Sequence, residues 1–257
     1  MKVLTIAGSD SGGAAGLQAD LKTFTALGAY GMSVVTAVTA QNSQRVEAVL
    51  PLTAEMVESQ MRAVLSDYGA AAVKTGFIGQ VDLISIIAAC LVEYRPGPIV
   101  VDPVLVNHKG LAMFSPAVTQ AYVDHLLPLA DLVTPNPEEA TLLSGKPVAS
   151  LDDVLEVADA ILSLGPRHVL IKGYREGDEM VDVLVHTAGQ KIFHQPVIDT
   201  QNTHGSGDTL SAAVCVFLAQ GQPINTAVES AIDYTRKAIL RGASWQLGGG
   251  HGPVSHF

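Results

Sequence analysis

The sequence predicts an α/β protein in which a mostly parallel sheet lies between two layers of helices, a three-layer α/β/α architecture. Three observations lead to this fold class. The chain of 257 residues is 48% hydrophobic and only 16% charged, which excludes intrinsic disorder. Short β-branched runs alternate with helical patterns of about a dozen residues, as in parallel βαβ units. No apolar run approaches the roughly 20 residues that span a bilayer, so the hydrophobicity belongs in a sheet covered on both faces.

The individual elements follow from these patterns in chain order. Runs rich in β-branched residues predict the parallel strands Val3–Ile6, Ser33–Thr39, Ala71–Lys74, Ile99–Asp102, Leu132–Thr134 and His168–Lys172. Apolar periodicity predicts the helices Gly16–Leu27, Ala54–Ser66, Leu83–Glu93, Pro116–Leu126, Pro137–Leu143, Leu151–Leu164, Thr209–Ala219 and Thr226–Arg241. Val181–His186 and Lys191–Pro196 flank Ala188-Gly189 and predict a hairpin that adds antiparallel strands at one edge. No linker or repeat interrupts the chain, so residues 1–257 are predicted to form a single domain.

Charge and cysteine content limit the partners and the compartment. Lys and Arg number 15 against 25 Asp and Glu, a net charge of −10, which argues against nucleic-acid binding. Cys90 and Cys215 lie in apolar stretches, so we expect buried thiols in a reducing compartment, with one disulfide as the alternative. The N-terminus turns to Gly and Ser too soon for a signal peptide. We therefore expect a cytoplasmic protein with a small-molecule substrate and no membrane partner. The open edge of a mixed sheet is compatible with a homodimer.

The most informative loop is Thr203-His204-Gly205-Ser206-Gly207-Asp208, which runs straight into an apolar helix. Its glycines allow a tight turn with inward N–H groups, and the helix N-terminus adds partial positive charge. Gly205, Ser206 and Gly207 are thus predicted to form an anion hole for a transferring phosphoryl group. Asp208 either accepts a proton from an attacking hydroxyl or only caps the helix, and both alternatives stay open. No Gly-Lys-Ser/Thr follows, which excludes a Walker A loop.

Two further features lie where ligands of such sheets bind, beyond the carboxyl ends of the strands. The glycines of Gly8–Gly16 permit close approach of the backbone to a ligand, and Asp20 falls one turn into the following helix. A flexible loop before a charged first turn explains this segment equally well. Lys172 ends a predicted strand and is a candidate phosphate clamp, with a surface lysine at a turn as the alternative.

A third feature is a candidate magnesium site. Asn136 and Glu139 are three residues apart at a predicted helix start, which fits a capping arrangement and equally a water-mediated Mg²⁺ site. Asp102, at the end of another strand, offers a second carboxylate on the same rim. A turn made with Pro103 is the alternative explanation for that aspartate.

Taken together, these motifs resemble the hydroxymethylpyrimidine/phosphomethylpyrimidine kinase family of thiamine biosynthesis, which belongs to the ribokinase-like superfamily. The resemblance runs in order from Val3 to Phe257 and covers essentially the whole chain. The motifs that carry it are Ala7–Gly13, Gln18–Phe24, Thr39–Asn42, Lys74–Gly76, Val101–Val104, Thr134–Asn136, Asn202–Gly207 and Gly252–Val254. It implies a ribokinase-like fold and phosphorylation, with ATP and Mg²⁺, of 4-amino-5-hydroxymethyl-2-methylpyrimidine and then of its monophosphate.

The resemblance also implies roles for single residues. The pyrimidine pocket would be lined by Gly8, Asp20, Gln41, Phe77 and Val104. Within it, Gln41 would hydrogen-bond the aminopyrimidine edge. The residues facing the nucleotide would be Asn136, Glu139, Lys172 and Thr203, with Mg²⁺ near Asp102 and Glu139. Gly205–Gly207 would form the anion hole, with Asp208 as the base for the alcohol step.

The chain departs from the family pattern at several positions. Many members carry Cys at the position of Asp208, whereas Asp is the rule in the wider superfamily, including pyridoxal kinases. Phe77 stands where Met is common, Lys109 where Ser is common and Tyr174 where Gly is common. Two alternative functions therefore remain: a pyridoxal kinase, and a non-catalytic protein that uses the same pocket as a sensor. The intact anion-hole loop, Asp208 and Lys172 argue against the sensor.

Overall fold

A single nine-stranded sheet organises the computed structural model, which describes residues 1–257. Its strands are β1 Lys2–Ser9, β2 Tyr30–Gln41, β3 Val46–Pro51, β4 Ala72–Thr75, β5 Ile99–Val101, β6 Leu132–Val133, β7 His168–Glu176, β8 Glu179–His186 and β9 Gly189–Pro196. The spatial order is β3-β2-β1-β4-β5-β6-β7-β8-β9. The six strands in the middle of this order, β2, β1, β4, β5, β6 and β7, pair in parallel. Each of β3, β8 and β9 pairs antiparallel with its neighbour.

Helices cover both faces of the sheet. They are α1 Gly16–Ala26, α2 Ala54–Asp67, α3 Val81–Tyr94, α4 Pro116–Ala121, α5 Pro137–Ser144, α6 Leu151–Leu162, α7 Ser206–Ala219 and α8 Ile224–Gly242. A cluster of 36 buried residues joins one sheet face to α2 through α6. A second cluster of 18 buried residues joins the opposite face to α1, α7 and α8. The predicted three-layer α/β/α arrangement is confirmed.

The central strands are apolar on both sides because each side meets a helical layer. In β1, Leu4 and Ile6 pack in the larger cluster while Val3 packs in the smaller one. The same alternation separates Val101 from Val100 in β5. Side chains of successive strand residues point to opposite faces, so a strand with two covered faces reads as a continuous apolar run. This is the physical basis of the high hydrophobic content.

The structure differs from the predicted elements at three places. Antiparallel strands lie at both edges of the sheet rather than at one edge. The additional antiparallel strand is β3, which pairs with β2 and was not predicted. Every residue of β3 is exposed, so burial imposes no alternation on its sequence. Helix α7 begins at Ser206, three residues before the predicted start at Thr209. The predicted helix 116–126 is α-helical only to Ala121 and continues as a π-helical turn, Tyr122–Leu126.

Both cysteines are buried and free, so the expected thiols are confirmed and the alternative of a disulfide is wrong. Cys90 lies on α3 and Cys215 on α7. These helices lie in different core clusters, on opposite faces of the sheet. No helix combines the length and the apolar character that crossing a bilayer requires.

Truncating a core residue of α3 tests the two-layer burial of the sheet. Ile87 is 0% exposed, whereas Val92 on the same helix is 54% exposed. We expect Ile87→Ala to lower the free energy of unfolding by about 2–5 kcal/mol, because a cavity opens between α3 and the sheet. The matched control Val92→Ala should change it by less than about 0.5 kcal/mol. Urea unfolding of both variants makes the measurement, and equal effects would contradict the described packing.

Candidate functional site

The start of α7 is built around one left-handed glycine. Gly205 has φ 79° and a Cβ there would lie 1.8 Å from the carbonyl oxygen of Ala14, so no other residue fits. Thr209 Oγ1 donates to the Gly205 carbonyl at 2.8 Å and thereby fixes the turn. The first N–H groups of a helix have no intrahelical acceptor. The Ser206 N–H donates to the Thr203 carbonyl at 3.1 Å, and the predicted anion hole at Gly205–Gly207 thus lies at a helix start that is held against the N-terminal loop.

Lys172 lies directly over this turn. A Cβ added to Gly207 would be 3.2 Å from Lys172 Nζ. The ammonium group donates to Asp102 Oδ1 at 2.5 Å, and Ser211 Oγ donates to Asp102 Oδ2 at 2.8 Å. Burial alone would lower the pKa of Lys172, but the charges of Asp102 and Glu139 outweigh it and raise that pKa. Lys172 is thus a fixed cation beside the helix start, and the alternative of a surface lysine does not apply.

A cavity of about 440 Å³ opens in front of Lys172 and the first turn of α7. Its lining includes three of the four residues predicted to face the nucleotide, Asn136, Lys172 and Thr203, together with Ser206 and Gly207 of the anion hole. The remaining lining residues are Pro137, Glu138, Gly173, Met180, Asp182, Gln195, Pro196, Val197, Ile198, Leu210, Ile232, Thr235, Arg236 and Ile239. Its size and mixed polar and apolar lining suit a nucleotide-sized ligand.

Glu139, the fourth predicted residue, lies behind the cavity wall. It is 4% exposed and forms a capping box with Asn136, accepting from the Asn136 N–H at Oε2 (3.0 Å). Its other oxygen accepts from the Leu105 N–H at 3.2 Å. Burial raises the pKa of Glu139 to about 7, although Lys172 opposes the shift. The capping arrangement predicted for these two residues is confirmed, and the carboxyl group is part of the charge environment of Lys172.

Four of the residues predicted to hold the acceptor lie on β1 and β2 and in the segments that follow β4 and β5. The close approach of Gly8 to Phe77 explains the glycine, since a Cβ there would lie 3.0 Å from the Phe77 ring. Phe77 packs against Phe114 with ring centroids 5.4 Å apart. Gln41 Nε2 lies 3.2 Å from His204 Nε2, which places this amide next to the anion-hole loop.

We call the predicted acceptor residues Gly8, Gln41, Phe77 and Val104 the acceptor wall. Gly76, the neighbour of Phe77 in the chain, lies close to Asp208. A Cβ on Gly76 would lie 3.9 Å from Asp208 Oδ1, and Phe77 is the next residue in the chain. Val104 is partly buried and follows Asp102 by two residues, with its N–H donating to the Asp102 carbonyl at 3.0 Å. An acceptor on this wall would therefore have the Asp208 carboxylate within reach.

Asp20 is placed below this wall. It is 0% exposed, and its two oxygens accept from Lys74 Nζ and Thr5 Oγ1, each at 2.6 Å. Lys74 Nζ also donates to Asp208 Oδ1 at 3.1 Å. The structure therefore brings Asp20 to the site through a lysine, rather than to the surface of the acceptor pocket.

The Asp208 carboxyl group is partly accessible, with 16% of its side chain exposed. Burial by itself would raise its pKa, but Lys74 outweighs this effect, and Lys172 and the Gly16 N–H contribute in the same direction. The pKa of Asp208 consequently lies below its usual range, so the group is ionised at neutral pH. Asp208 makes no side-chain cap to its own helix, which removes the capping alternative.

Lys74 is the site residue that sequence reasoning missed. It was predicted only as the end of an apolar strand. A signal was available, because a lysine inside a strand buried on both faces needs a carboxylate partner. What the sequence did not supply was the identity of that partner, since Asp208 is 134 residues away.

Comparison with known proteins identifies relatives over nearly the whole chain. The family model of phosphomethylpyrimidine kinase matches residues 10–255. The hydroxymethylpyrimidine/phosphomethylpyrimidine kinase of Streptomyces coelicolor is 44% identical over 254 residues, covering 99% of this chain and 93% of that protein. The protein of the same name from Rhizobium meliloti is 45% identical over 258 residues, with 99% and 96% coverage.

Solved structures are similar as well. An ADP complex of Bacillus subtilis pyridoxal kinase has a TM-score of 0.92 and 36% identity, covering 99% of this chain and 97% of that chain. Phosphomethylpyrimidine kinase from Clostridium difficile has a TM-score of 0.84 and 40% identity, with 93% and 99% coverage. These similarities confirm the predicted ribokinase-like fold.

The close contact between Gly205 and the Ala14 carbonyl can be tested by substitution. The control is a glycine with a similar left-handed backbone but no neighbouring atoms where a Cβ would lie. Gly205→Ala should abolish phosphoryl transfer and destabilise the protein, because the new Cβ would overlap the Ala14 carbonyl. Gly221 has φ 81° and nothing within 4 Å of a Cβ. Gly221→Ala should cost only the left-handed penalty of about 1–2 kcal/mol and keep the wild-type kcat. Steady-state kinetics and thermal unfolding of both variants decide, and wild-type activity in Gly205→Ala would refute the geometry.

Proposed function

The chain belongs to the phosphomethylpyrimidine kinase family, and from this premise we propose that it phosphorylates 4-amino-5-hydroxymethyl-2-methylpyrimidine and then the resulting monophosphate. The chain is a kinase, as its relatives over 99% of its length are. To the kinase activity, the proposal adds the identity of the acceptor and of the nucleotide. It also assigns the residues that act in each of the two phosphorylation steps.

One observation carries the proposal: the anion hole lies between a cation and a carboxylate. Lys172 Nζ lies over Gly207 on the cavity side, and Asp208 faces Gly76 on the acceptor side. A γ-phosphoryl group held at Gly205–Gly207 would meet positive charge from Lys172 and the helix start, while an acceptor hydroxyl would meet the base. Phosphoryl transfer depends mainly on such positioning and charge stabilisation.

ATP would occupy the cavity of about 440 Å³ in front of Lys172. Asn136 and Thr203 of its lining would lie beside the phosphates, and Ile232 and Ile239 would offer an apolar surface to the base. The similar pyridoxal kinase from Staphylococcus aureus is described in complex with AMP-PCP. That nucleotide complex supports the assignment for this chain.

Mg²⁺ fits this site through water molecules. No group of three or more His, Cys, Asp or Glu side chains forms a direct cage. The Asp102 oxygens accept from Lys172 and Ser211, and those of Glu139 accept from backbone N–H groups, yet a carboxylate oxygen accepts more than one hydrogen bond. Mg²⁺ retains several waters and binds substrate phosphates, so Asp102 and Glu139 would hold its waters. When bound, it would neutralise charge on the transferring phosphate.

The acceptor pocket has the composition that an aminopyrimidine requires. Gln41 offers a carbonyl acceptor and an amide donor to the amine and ring nitrogen of the pyrimidine. Phe77 supplies an apolar wall for the ring, and Gly8 and Val104 leave room beside it. The hydroxymethyl group would then point towards Asp208, which lies beyond Gly76.

In the first step, Asp208 would accept the hydroxyl proton as the oxygen bonds to the γ-phosphorus and the bond to the β–γ bridging oxygen breaks, releasing ADP. In the second step, the attacking atom is an oxygen of the monophosphate, which is already anionic. The second step therefore needs the base less. In both steps Lys172 and the N–H groups of Gly205–Gly207 would stabilise charge on the phosphoryl oxygens.

A pyridoxal kinase is the second candidate. Bacillus subtilis pyridoxal kinase is similar over 99% of this chain with a TM-score of 0.92. Pyridoxal also carries a hydroxymethyl group on a nitrogen heteroaromatic ring, so Asp208 could serve it equally well. The Gln41 amide favours the aminopyrimidine, because pyridoxal lacks the exocyclic amine.

A panel of acceptors tests the substrate. With ATP and Mg²⁺, we expect kcat/KM for hydroxymethylpyrimidine to exceed that for pyridoxal by about 10-fold or more, because pyridoxal has no exocyclic amine to donate to the Gln41 carbonyl. The pyrimidine monophosphate should be turned over as well. A coupled ADP assay on the three acceptors in parallel makes the comparison. Preference for pyridoxal would establish the second candidate instead, and ATP consumption without a phosphorylated acceptor would favour the sensor.

Removing the carboxylate charge tests the base. Asp208→Asn should lower kcat for the alcohol step by about 10²–10⁴-fold, the usual contribution of a general base, and lower the phosphate step much less. The matched control Asp233→Asn removes an exposed carboxylate on α8 that pairs with Lys237, and should leave both steps unchanged. The two steps are measured separately by supplying the alcohol or the monophosphate. Equal losses in both steps, or no loss in either, would exclude Asp208 as the base.

A further inference from the structure

Lys74 has an unusual position for a lysine. It belongs to β4, between β1 and β5 in the middle of the parallel sheet, and its side chain is 0% exposed. Removing an ammonium group from water costs several kcal/mol, which only close carboxylates can offset. Two carboxylates do so here, at 2.6 Å and 3.1 Å. A buried lysine with a role in packing alone would need only one carboxylate partner.

The two carboxylates differ in what else they contact. Asp20 is 0% exposed and is saturated by Lys74 and by the hydroxyl of Thr5. Asp208 is 16% exposed and faces the acceptor wall at Gly76. Lys74 therefore joins one carboxylate locked in the interior to another that is open to the reacting atoms. Through this bridge the interior fixes both the direction and the charge of the Asp208 carboxylate.

We propose that Lys74 is a positioning residue for phosphoryl transfer to alcohols, holding the Asp208 carboxylate ionised and directed at the acceptor hydroxyl while Asp20 anchors the ammonium group. The proposal deepens the proposed function and rests on it, since it requires Asp208 to act as a base. Lys74 itself does not touch the acceptor. Its effect is therefore specific to the step in which Asp208 takes a proton.

Other charged groups around Asp208 cannot replace Lys74. Lys172 contributes a second positive charge, but its ammonium group is bound to Asp102 at 2.5 Å. His256 is the titratable group facing Asp208 from the C-terminal segment, and burial lowers its pKa to about 4, so it is neutral at pH 7. Burial raises the pKa of Asp20 to about 7 even beside Lys74, so without Lys74 this carboxyl group would be neutral and Asp208 would lose the cation that favours its ionised form.

The test is the variant Lys74→Met, which keeps the apolar stem and removes the charge. Loss of the cation should raise the pKa of Asp208, so the acidic limb of the pH profile of kcat/KM for the alcohol step should move to higher pH by at least about one unit. Below the new pKa of Asp208 the alcohol step should fall about tenfold for each pH unit, and activity should recover at higher pH, where Asp208 is again ionised. The monophosphate step should fall by less than about 10-fold throughout, since its nucleophile is already anionic.

A second variant guards against misfolding, because Lys74→Met leaves the buried Asp20 without its cation. Asp20→Asn/Lys74→Met replaces both groups and, at pH 9, should unfold at a higher temperature than Lys74→Met, in which the unpaired Asp20 would be charged. Below pH 7 position 20 is uncharged in both variants, so their acidic limbs should coincide, at a higher pH than that of the wild type. A purely structural role of Lys74 would not move both limbs in this way.

The outcomes separate the two claims. Equal losses in the alcohol and monophosphate steps, or a pH profile that stays at the wild-type position in both variants, would overturn the role of Lys74. Wild-type protein that turns over neither hydroxymethylpyrimidine nor pyridoxal would overturn the proposed function, and this inference with it. Wild-type turnover combined with a raised acidic limb of the alcohol step in both variants would establish Lys74 as the positioning residue.

Discussion

Two lysines enter the carboxyl edge of the sheet from β4 and β7, and each is held by buried carboxylates from other elements. Lys74 joins Asp20 of α1 to Asp208 of α7, while Lys172 contacts Asp102 after β5. None of these ions could be buried alone, because the cost of desolvation would favour the neutral forms. Their pairing explains how strands that are otherwise apolar can end in a charged site. It also ties α1 to α7, two helices of the same layer, at this edge of the sheet.

A steric constraint works together with this charge compensation. The Gly205 turn lies against the Ala14 carbonyl so closely that a methyl group would not fit. Helix α7 thus starts in contact with the loop that follows β1, although about 190 residues separate them in sequence. The N–H groups of the turn, the ammonium group of Lys172 and the carboxylate of Asp208 consequently have fixed relative positions. Such preorganisation is what phosphoryl transfer requires from a protein, since little covalent chemistry falls to the side chains.

Burial decided which parts of the fold and of the site could be predicted from the sequence. The strands and helices of the interior were recognised because two covered faces impose a pattern on the residues. Strand β3 was missed because all its residues are exposed, so no pattern distinguishes it from a loop. The residues around the cavity were predicted from motifs, and Asn136, Lys172 and Thr203 do lie together. The partners of Lys74 and the interior position of Asp20 could not be predicted, because they depend on which distant charges the fold brings into contact.

The net charge of −10 excluded nucleic acids from the expected partners, yet the proposed ligand is itself a polyanion. The exclusion of nucleic acids and the proposed binding of ATP are compatible, because the first depends on charge over the whole surface and the second on charge inside one cavity. Exposed charges act on one another only over about 8 Å at physiological ionic strength, so the acidic surface contributes little inside a cavity. There Lys172, Arg236 and the first turn of α7 supply the positive charge, and Glu138 and Asp182 line the same space. A long nucleic acid needs a positive surface over many phosphates, whereas a nucleotide needs one such cavity. An acidic protein can therefore bind ATP while repelling the polymer built from similar units.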